Sequence, residues 1–317
     1  MTKRERVCAA IEGRKPDHVP AGFSLHFPKG EEHGQAGVES HLRFFRETGL
    51  DISKIMNENL ATYVGEVPAP ADWKTVRKAC REGGFVEAQR EFAQRVLAGA
   101  REEGYFLGTL HGITASAIHP MEGFYGYEAS RTRLVEHLRE DEGPVLDAMK
   151  EIAQRQCQLV RAYQEMGVQG VYYASLGGEP RWFTDEEFAR WIAPLDRLIL
   201  TEIQKAGLHA FLHICKDGLN MERYRDYPAD VVNWGVYEAP LSLEEGRRLF
   251  PGKAVMGGLA NRGGPLDSGT KEELEAEVRK LIAQQRGQGF LLGADCTLPT
   301  ETAYERIRFV ADLAHTL

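Results

Sequence analysis

Short apolar runs alternate with longer amphipathic ones from end to end of this 317-residue chain, and that alternation limits the folds open to it. The runs 19–27, 51–57, 105–113, 170–175, 209–215, 231–235, 253–260 and 289–296 are rich in Val, Ile, Leu, Phe and Tyr. Gly, Pro or Asp bounds them, so each reads as a short buried strand. Between them, 85–103, 143–166, 185–205, 271–286 and 300–315 carry apolar residues at helical spacing. Thr184 before Asp185-Glu186-Glu187, and Ser242 before Leu243-Glu244-Glu245, have the form of helix-starting capping boxes. Gly104, Gly167 and Gly207 each follow a helical run and suit the left-handed position that ends one.

Eight strand–helix repeats predict a parallel sheet, and eight such strands predict an α/β fold closed as a (β/α)8 TIM barrel. An open doubly wound sheet is the alternative. Neither Gly-x-Gly-x-x-Gly after the first strand nor a phosphate-loop Gly-Lys-Ser/Thr occurs, which removes two nucleotide readings without deciding closure. No Pro/Ser tract divides the chain, so residues 1–317 are expected to form one barrel domain with an N-terminal helical extension. The long helical stretch after the third strand is expected to hold an inserted lid, within 114–142.

Composition serves mainly to exclude. The net charge is −8 with no basic arm or cluster, which argues against nucleic acid or an anionic membrane as partner. Five cysteines are too few and odd in number for a disulfide framework and suit a reducing compartment. The opening MTKRERVCAAIEGRKPDHVP lacks the apolar centre of a signal peptide, and no run approaches a membrane span. The expected location is the cytoplasm.

The chemistry-bearing pattern is His213-x-Cys215 in HAFLHIC, with a further thiol, Cys296, closing GFLLGADC. Alternate residues of a strand share a face, so His213 and Cys215 can aim an imidazole and a thiolate at one point. In a parallel barrel, sites collect at the carboxyl ends of the strands. His213 and Cys215 end the fifth run and Cys296 ends the eighth, so all three belong at one mouth. One imidazole and two thiolates are the ligand set of a zinc site that keeps a position open. The competing reading is a small buried thiol packed as a hydrophobe, which also serves for Cys8, Cys80 and Cys157.

Across nearly its whole length the chain resembles the uroporphyrinogen decarboxylase superfamily, and within it the cobalamin-dependent methyltransferases. RERVCAAIEGRKPDHVPAGF resembles that family's first helix, Asp-x-Val-Pro turn and first strand. YQEMGVQGVYYASL resembles the lead into its fourth strand, and GLHAFLHICKDG the strand carrying the methyltransferases' His-x-Cys. YPADVVNWG and FPGKAVMGGLA resemble the next two strands. LLGADCTLPTETAYERIRFV resembles the last, with the third zinc ligand and the Pro-Thr-Glu turn. The resemblance implies a (β/α)8 barrel with Zn2+ on His213, Cys215 and Cys296. It also implies a cobalamin carried by a separate corrinoid protein, since no Asp-x-His-x-x-Gly motif occurs here.

The same resemblance separates two branches. Decarboxylases carry an arginine-containing stretch after the first strand, where this chain reads SLHFPKGEEHG, and an essential Asp after the second, where it reads MNENL. A substrate with eight carboxylates needs bidentate arginine clamps. The expected activity is therefore methyl transfer between cobalt and a small substrate: a methyl ether, a methylamine, a thiol such as coenzyme M, or tetrahydrofolate. A decarboxylase and a non-catalytic barrel that binds the corrinoid protein are the other readings.

Around the expected metal, Glu238 is the best-placed carboxylate for a fourth ligand, with a solvated loop residue as the alternative. Asn233 and Asp295 are further mouth residues, and a carboxylate is expected to orient His213. His111, Tyr173 and Asn57 are candidates to bind substrate or pass a proton, and His26 stands with them. His119, Tyr125 and Tyr127 fall in the expected lid. Met256 with Gly257-Gly258 is expected to keep the floor open.

Overall fold

The computed structural model describes all residues except 62, 101–103, 240 and 286–288. Seven strands form one parallel sheet in chain order: β1 Ile52–Lys54, β2 Tyr105–His111, β3 Gly170–Ser175, β4 His209–Ile214, β5 Val231–Trp234, β6 Ala254–Leu259 and β7 Phe290–Ala294. Each strand pairs with the next.

The expected first strand, 19–27, closes the ring as an irregular stave rather than a regular strand. Ala21 bridges Leu292 of β7 and Gly22 bridges Ile52 of β1. Gly22 N donates to Leu292 O and Leu292 N to Pro20 O, both at 2.9 Å. Two local causes interrupt the ladder. Pro20 has no N–H to give, and the Ala21 amide donates to the buried Asp51 carboxylate at 3.0 Å instead of to a strand carbonyl. Gly22 also has to be small: a Cβ there would lie 2.9 Å from Ile52 Cβ and 3.0 Å from Met256 Cε. The expected 51–57 strand shortens to three residues.

Alternation along the strands sorts side chains into two cores. Ile52, Tyr105, Leu107, Tyr172, Phe211, Val231, Ala254, Met256 and Leu291 stack inside the ring. Val7 and Ala10, from the helix Lys3–Ile11, join that stack. The opposite faces of the strands meet the surrounding helices in a larger apolar layer.

Both expected capping boxes form, with Thr184 Oγ1 accepting from Glu187 N and Ser242 Oγ from Glu245 N. Gly167 ends the helix Glu142–Met166 at φ +79°. The expected helix 185–205 instead breaks into Asp185–Glu187, a wide π turn Phe188–Ile192, and Ala193–Lys205. Pro194 cannot donate within that last helix's first turn, where the wide turn adjoins it. The helices expected at 85–103 and 271–286 run Phe85–Gly99 and Lys271–Gln284, and the remaining 101–103 and 286 lie outside the described residues. The 114–142 stretch is a pair of helices, Ile113–Tyr125 and Tyr127–Glu140, joined at Gly126 with φ +77°. Among the described residues, no helix is long and apolar enough to cross a membrane.

Candidate metal centre

At the carboxyl end of β4, the side chains of His213 and Cys215 reach the same point as Cys296, two residues past β7. One ligand-type atom from each lies within 4.8 Å of the others. The two sulfurs are 4.0 Å apart and both thiols are free. A disulfide would hold them at about 2 Å, whereas two thiolates on one tetrahedral zinc sit about 3.8 Å apart. The spacing matches the ion, not the disulfide.

His213 is set for a metal by its neighbour on β5. Asn233 is its partner in the parallel register, and adjacent residues of paired strands point the same way. The Asn233 amide donates through Nδ2 to Met256 O at 2.9 Å and to Ala294 O at 3.1 Å. Its Oδ1 is thereby left to accept, from the Tyr172 hydroxyl at 2.8 Å and from His213 Nδ1 at 2.6 Å. An amide oxygen only accepts, so Nδ1 carries the proton and Nε2 presents its lone pair. That Nε2 is buried with no hydrogen-bond partner. Left so, it would cost about 1–3 kcal/mol; a bound cation satisfies it. The expected orienting carboxylate is therefore an amide.

The thiols behave as a pair. A hydrogen bond from Cys215, aided by the nearby His213, holds Cys296 well below the usual thiol range, and the same bond with burial pushes Cys215 up. Thiolate character at one sulfur favours metal capture. Asp295, pushed up to about 6 chiefly by burial, accepts from Tyr237 N at 3.1 Å and so anchors the turn carrying Glu238. Glu238 lies outside the three-ligand cluster. Its carboxylate folds back toward Gly235, where an added Cβ would meet its Oε2 at 3.0 Å. It still senses the centre: burial and the Cys296 charge raise its pKa.

A pocket of about 280 Å³ opens over the three ligands, and His26, Lys54, His111, His119, Tyr127, Tyr172 and Lys216 share its wall. His111 lies in this wall. Burial and the edge-on ring of His119 at 5.0 Å depress its pKa, so it is neutral. Tyr173 does not belong here. Its hydroxyl turns out of the ring to Asp196 on the helix Ala193–Lys205 and to Ile113 N. The inward residue is Tyr172, one position earlier. Asn57 is also a structural clamp: Nδ2 donates to Thr109 O at 3.2 Å, and Oδ1 accepts from Asn59 N. Tyr125 accepts from Val67 N at 2.9 Å, away from the pocket wall. Gly257, at φ +142°, leaves room for the Asn233 amide, which a Cβ would approach to 3.3 Å.

Lys54 is the residue that sequence reasoning missed. It ends β1 pointing inward, 8 % exposed, with Nζ 3.9 Å over the Tyr172 ring and 3.3 Å from Ser24 Oγ. Burial lowers its pKa to about 8, against the pull of Cys296, Glu58 and Cys215. Lys216, next to Cys215, is the sole non-glycine among the described residues with positive φ, at 93°. Strain of that kind collects at functional sites.

A second group of ligand-type atoms, His18, Asp51 and His315, lies before the start of β1. There Asp51 Oδ1 already accepts from Arg6 Nη1 at 2.6 Å, so the group is read as a charge network.

The class is now defined: a parallel (β/α)8 barrel with a three-donor nitrogen–sulfur centre at its carboxyl mouth. The family model described as Uroporphyrinogen decarboxylase (URO-D) matches residues 56–317, and the chain belongs to that family. Among curated proteins none matches by sequence. Among solved structures, a methyltransferase from Methanosarcina mazei shares the fold at TM-score 0.80 and 13 % identity, covering 100 % of this chain and 99 % of that one. A B12-independent methionine synthase from Shewanella sp. W3-18-1, in complex with selenomethionine, gives TM-score 0.56 and 12 % identity over 94 % of this chain and 97 % of its own. Its counterpart from Listeria monocytogenes gives 0.54 and 14 %, over 94 % and 96 %.

Proposed function

We propose that this chain is a zinc-dependent methyltransferase that moves a methyl group between a small substrate and the cobalamin of a separate corrinoid protein. The observation that carries this reading is the orphaned His213 Nε2 facing two sulfurs 4.0 Å apart at the open end of the barrel. Zinc bound there supplies Lewis acidity, lowering the pKa of a substrate thiol or polarising the oxygen or nitrogen that bears the methyl group.

The chain's own residues do the rest. Asn233 fixes the His213 ring and its tautomer. Glu238, whose carboxylate lies over Gly235, is the residue that would hold the fourth position when no substrate is bound. His111, neutral and in the pocket wall, accepts or returns a proton. The helix pair 113–140 supplies Tyr127 and His119 as cover over the pocket. Free thiol ligands suit the cytoplasm.

The decarboxylase reading is weaker on one observation: among the described residues no arginine lines the pocket, so nothing there can clamp carboxylates bidentately.

The test is zinc content followed by a methyl-transfer screen. Methylcobalamin and cobalt(I) cobalamin are each mixed with a panel of thiols, methyl ethers and methylamines, and the cobalt spectrum reports transfer and its direction. One zinc per chain with zinc-dependent turnover is expected. Zinc without transfer to or from any of the panel supports a non-catalytic binding barrel; porphyrinogen turnover without metal supports a decarboxylase.

A further inference from the structure

The charge network around Asp51 lies at the amino ends of the strands, opposite the mouth. Arg6 and Asp51 are buried there. Arg6 Nη1 donates to Asp51 Oδ1 at 2.6 Å, and its Nε and Nη2 donate to Asp17 at 2.7 and 2.9 Å. The Met1 amino group also pairs with Asp17, at 3.0 Å. With uncharged imidazoles these four charges cancel, so no excess positive charge opposes a cation beside Asp51.

Two imidazoles reach that carboxylate from distant parts of the chain. His18 comes two residues before Pro20 of the irregular stave, and His315 from the last turn of the helix Tyr304–Thr316. Their ring centres are 4.2 Å apart. One ligand-type atom from each lies within 4.8 Å of the other and of an Asp51 oxygen. Both Nε2 atoms are buried with no hydrogen-bond partner, a condition that native folds seldom leave unanswered. His315 Nε2 is 3.5 Å from Asp51 Oδ2. That is long for a hydrogen bond of this kind, which runs about 2.7–3.2 Å. Two donors on one tetrahedral ion, each at about 2.0–2.1 Å, sit about 3.3–3.4 Å apart, so the spacing suits a shared ion. Burial, Arg6 and His315 depress the His18 pKa, which keeps its lone pair free. Both rings are partly exposed, which gives an ion a way in.

We infer that His18, Asp51 and His315 form a second, exchangeable site for a divalent transition-metal ion such as zinc, cobalt(II) or nickel, separate from the centre at the mouth. Two imidazoles and one carboxylate oxygen suit ions of that class. The site is the weaker of the two, because it has no thiolate and its carboxylate is shared with Arg6. It fills after the centre at the mouth, when metal is supplied in excess. Its effect is structural. Asp51 Oδ2 also accepts from Ala21 N at 3.0 Å, so an ion here ties the stave, the start of β1 and the last helix together where the ring closes through single bridges. The inference does not depend on the proposed activity.

The test is titration of metal-stripped protein with cobalt(II), followed by absorption and equilibrium dialysis. Wild-type protein should take up two equivalents. The first brings the intense near-ultraviolet charge-transfer band of thiolate ligation, and the second only the weak visible bands of nitrogen and oxygen ligands. The double variant Cys215→Ala/Cys296→Ala should bind the second kind alone. His18→Gln and His315→Gln should each weaken the second equivalent at least about tenfold, since even an outer partner of a metal ligand is worth that much, and should leave the first unchanged. Cobalt beyond the first equivalent should raise the Tm of the wild-type protein and not that of either histidine variant. Absence of nitrogen–oxygen binding from both the wild type and the double cysteine variant, or a second equivalent that survives His18→Gln or His315→Gln unchanged, would overturn the inference. Failure of the centre at the mouth shows separately, as absence of the thiolate band.

Discussion

Asn233 does at this centre what a carboxylate does at many others, and the difference has consequences. Its amide group is locked by two backbone carbonyls, so its oxygen is committed to His213 and Tyr172. Replacing it by Asn233→Leu frees the imidazole to rotate and removes the amide's bonds to both carbonyls. Removal of such an orienting group weakens metal binding about 10–100-fold. Competition against a chromogenic chelator should show that loss, and an unchanged affinity would remove Asn233 from the account. His213, Cys215 and Cys296 were readable because strand alternation and the polarity of a parallel barrel are enough to bring them together. Lys54 was not readable, because an Ile-Ser-Lys run carries no mark separating a buried lysine from a strand-end one.

At the level of elements, β3 shows how narrow such reasoning is. Tyr172 and Tyr173 are chemically identical and adjacent, and a slip of one residue exchanges the two faces. Tyr172 faces the metal pocket. Tyr173 faces a buried polar knot on Asp196, which also accepts from Ser175 Oγ at 2.9 Å and Ile113 N at 3.2 Å. That knot ties β3 to two helices. Burial pushes Asp196 up to about 6 from 3.8. A carboxyl whose folded pKa is raised holds its proton in the native state while the unfolded chain has released it. Its contribution is therefore full below about pH 4 and is lost as pH rises to about 6. The stability of the wild-type protein relative to Asp196→Asn should fall by roughly 3 kcal/mol across that window. Denaturant melts at pH 4 and pH 7 measure it, and a pH-independent difference would show that Asp196 is charged in the fold. The helical run that carries Asp196 was legible from the Thr184 capping box that opens it. The wide turn before Pro194 was not, since it arises where two good helical segments meet a residue that cannot donate.

At the level of the whole molecule, the centre depends on the ring being closed. Cys296 follows β7, whereas Cys215 follows β4, and β7 is held in place by β6 on one side and by the irregular 20–25 stave on the other. The repeat of eight apolar runs indicated closure. It could not show that the first stave would pair through single bridges, because that depends on Asp51 capturing the Ala21 amide from a distant part of the chain. An open sheet would leave β7 without this second neighbour.

X-ray absorption at the zinc edge of the purified protein tests the central claim most directly. Three protein ligands with one position open predict one zinc per chain bound by two sulfurs at about 2.3 Å and by nitrogen or oxygen at about 2.0–2.1 Å. In Cys296→Ser one of the two sulfurs should vanish from the shell. Protein that binds no zinc when supplied with it, or a shell unchanged by Cys296→Ser, would contradict the account.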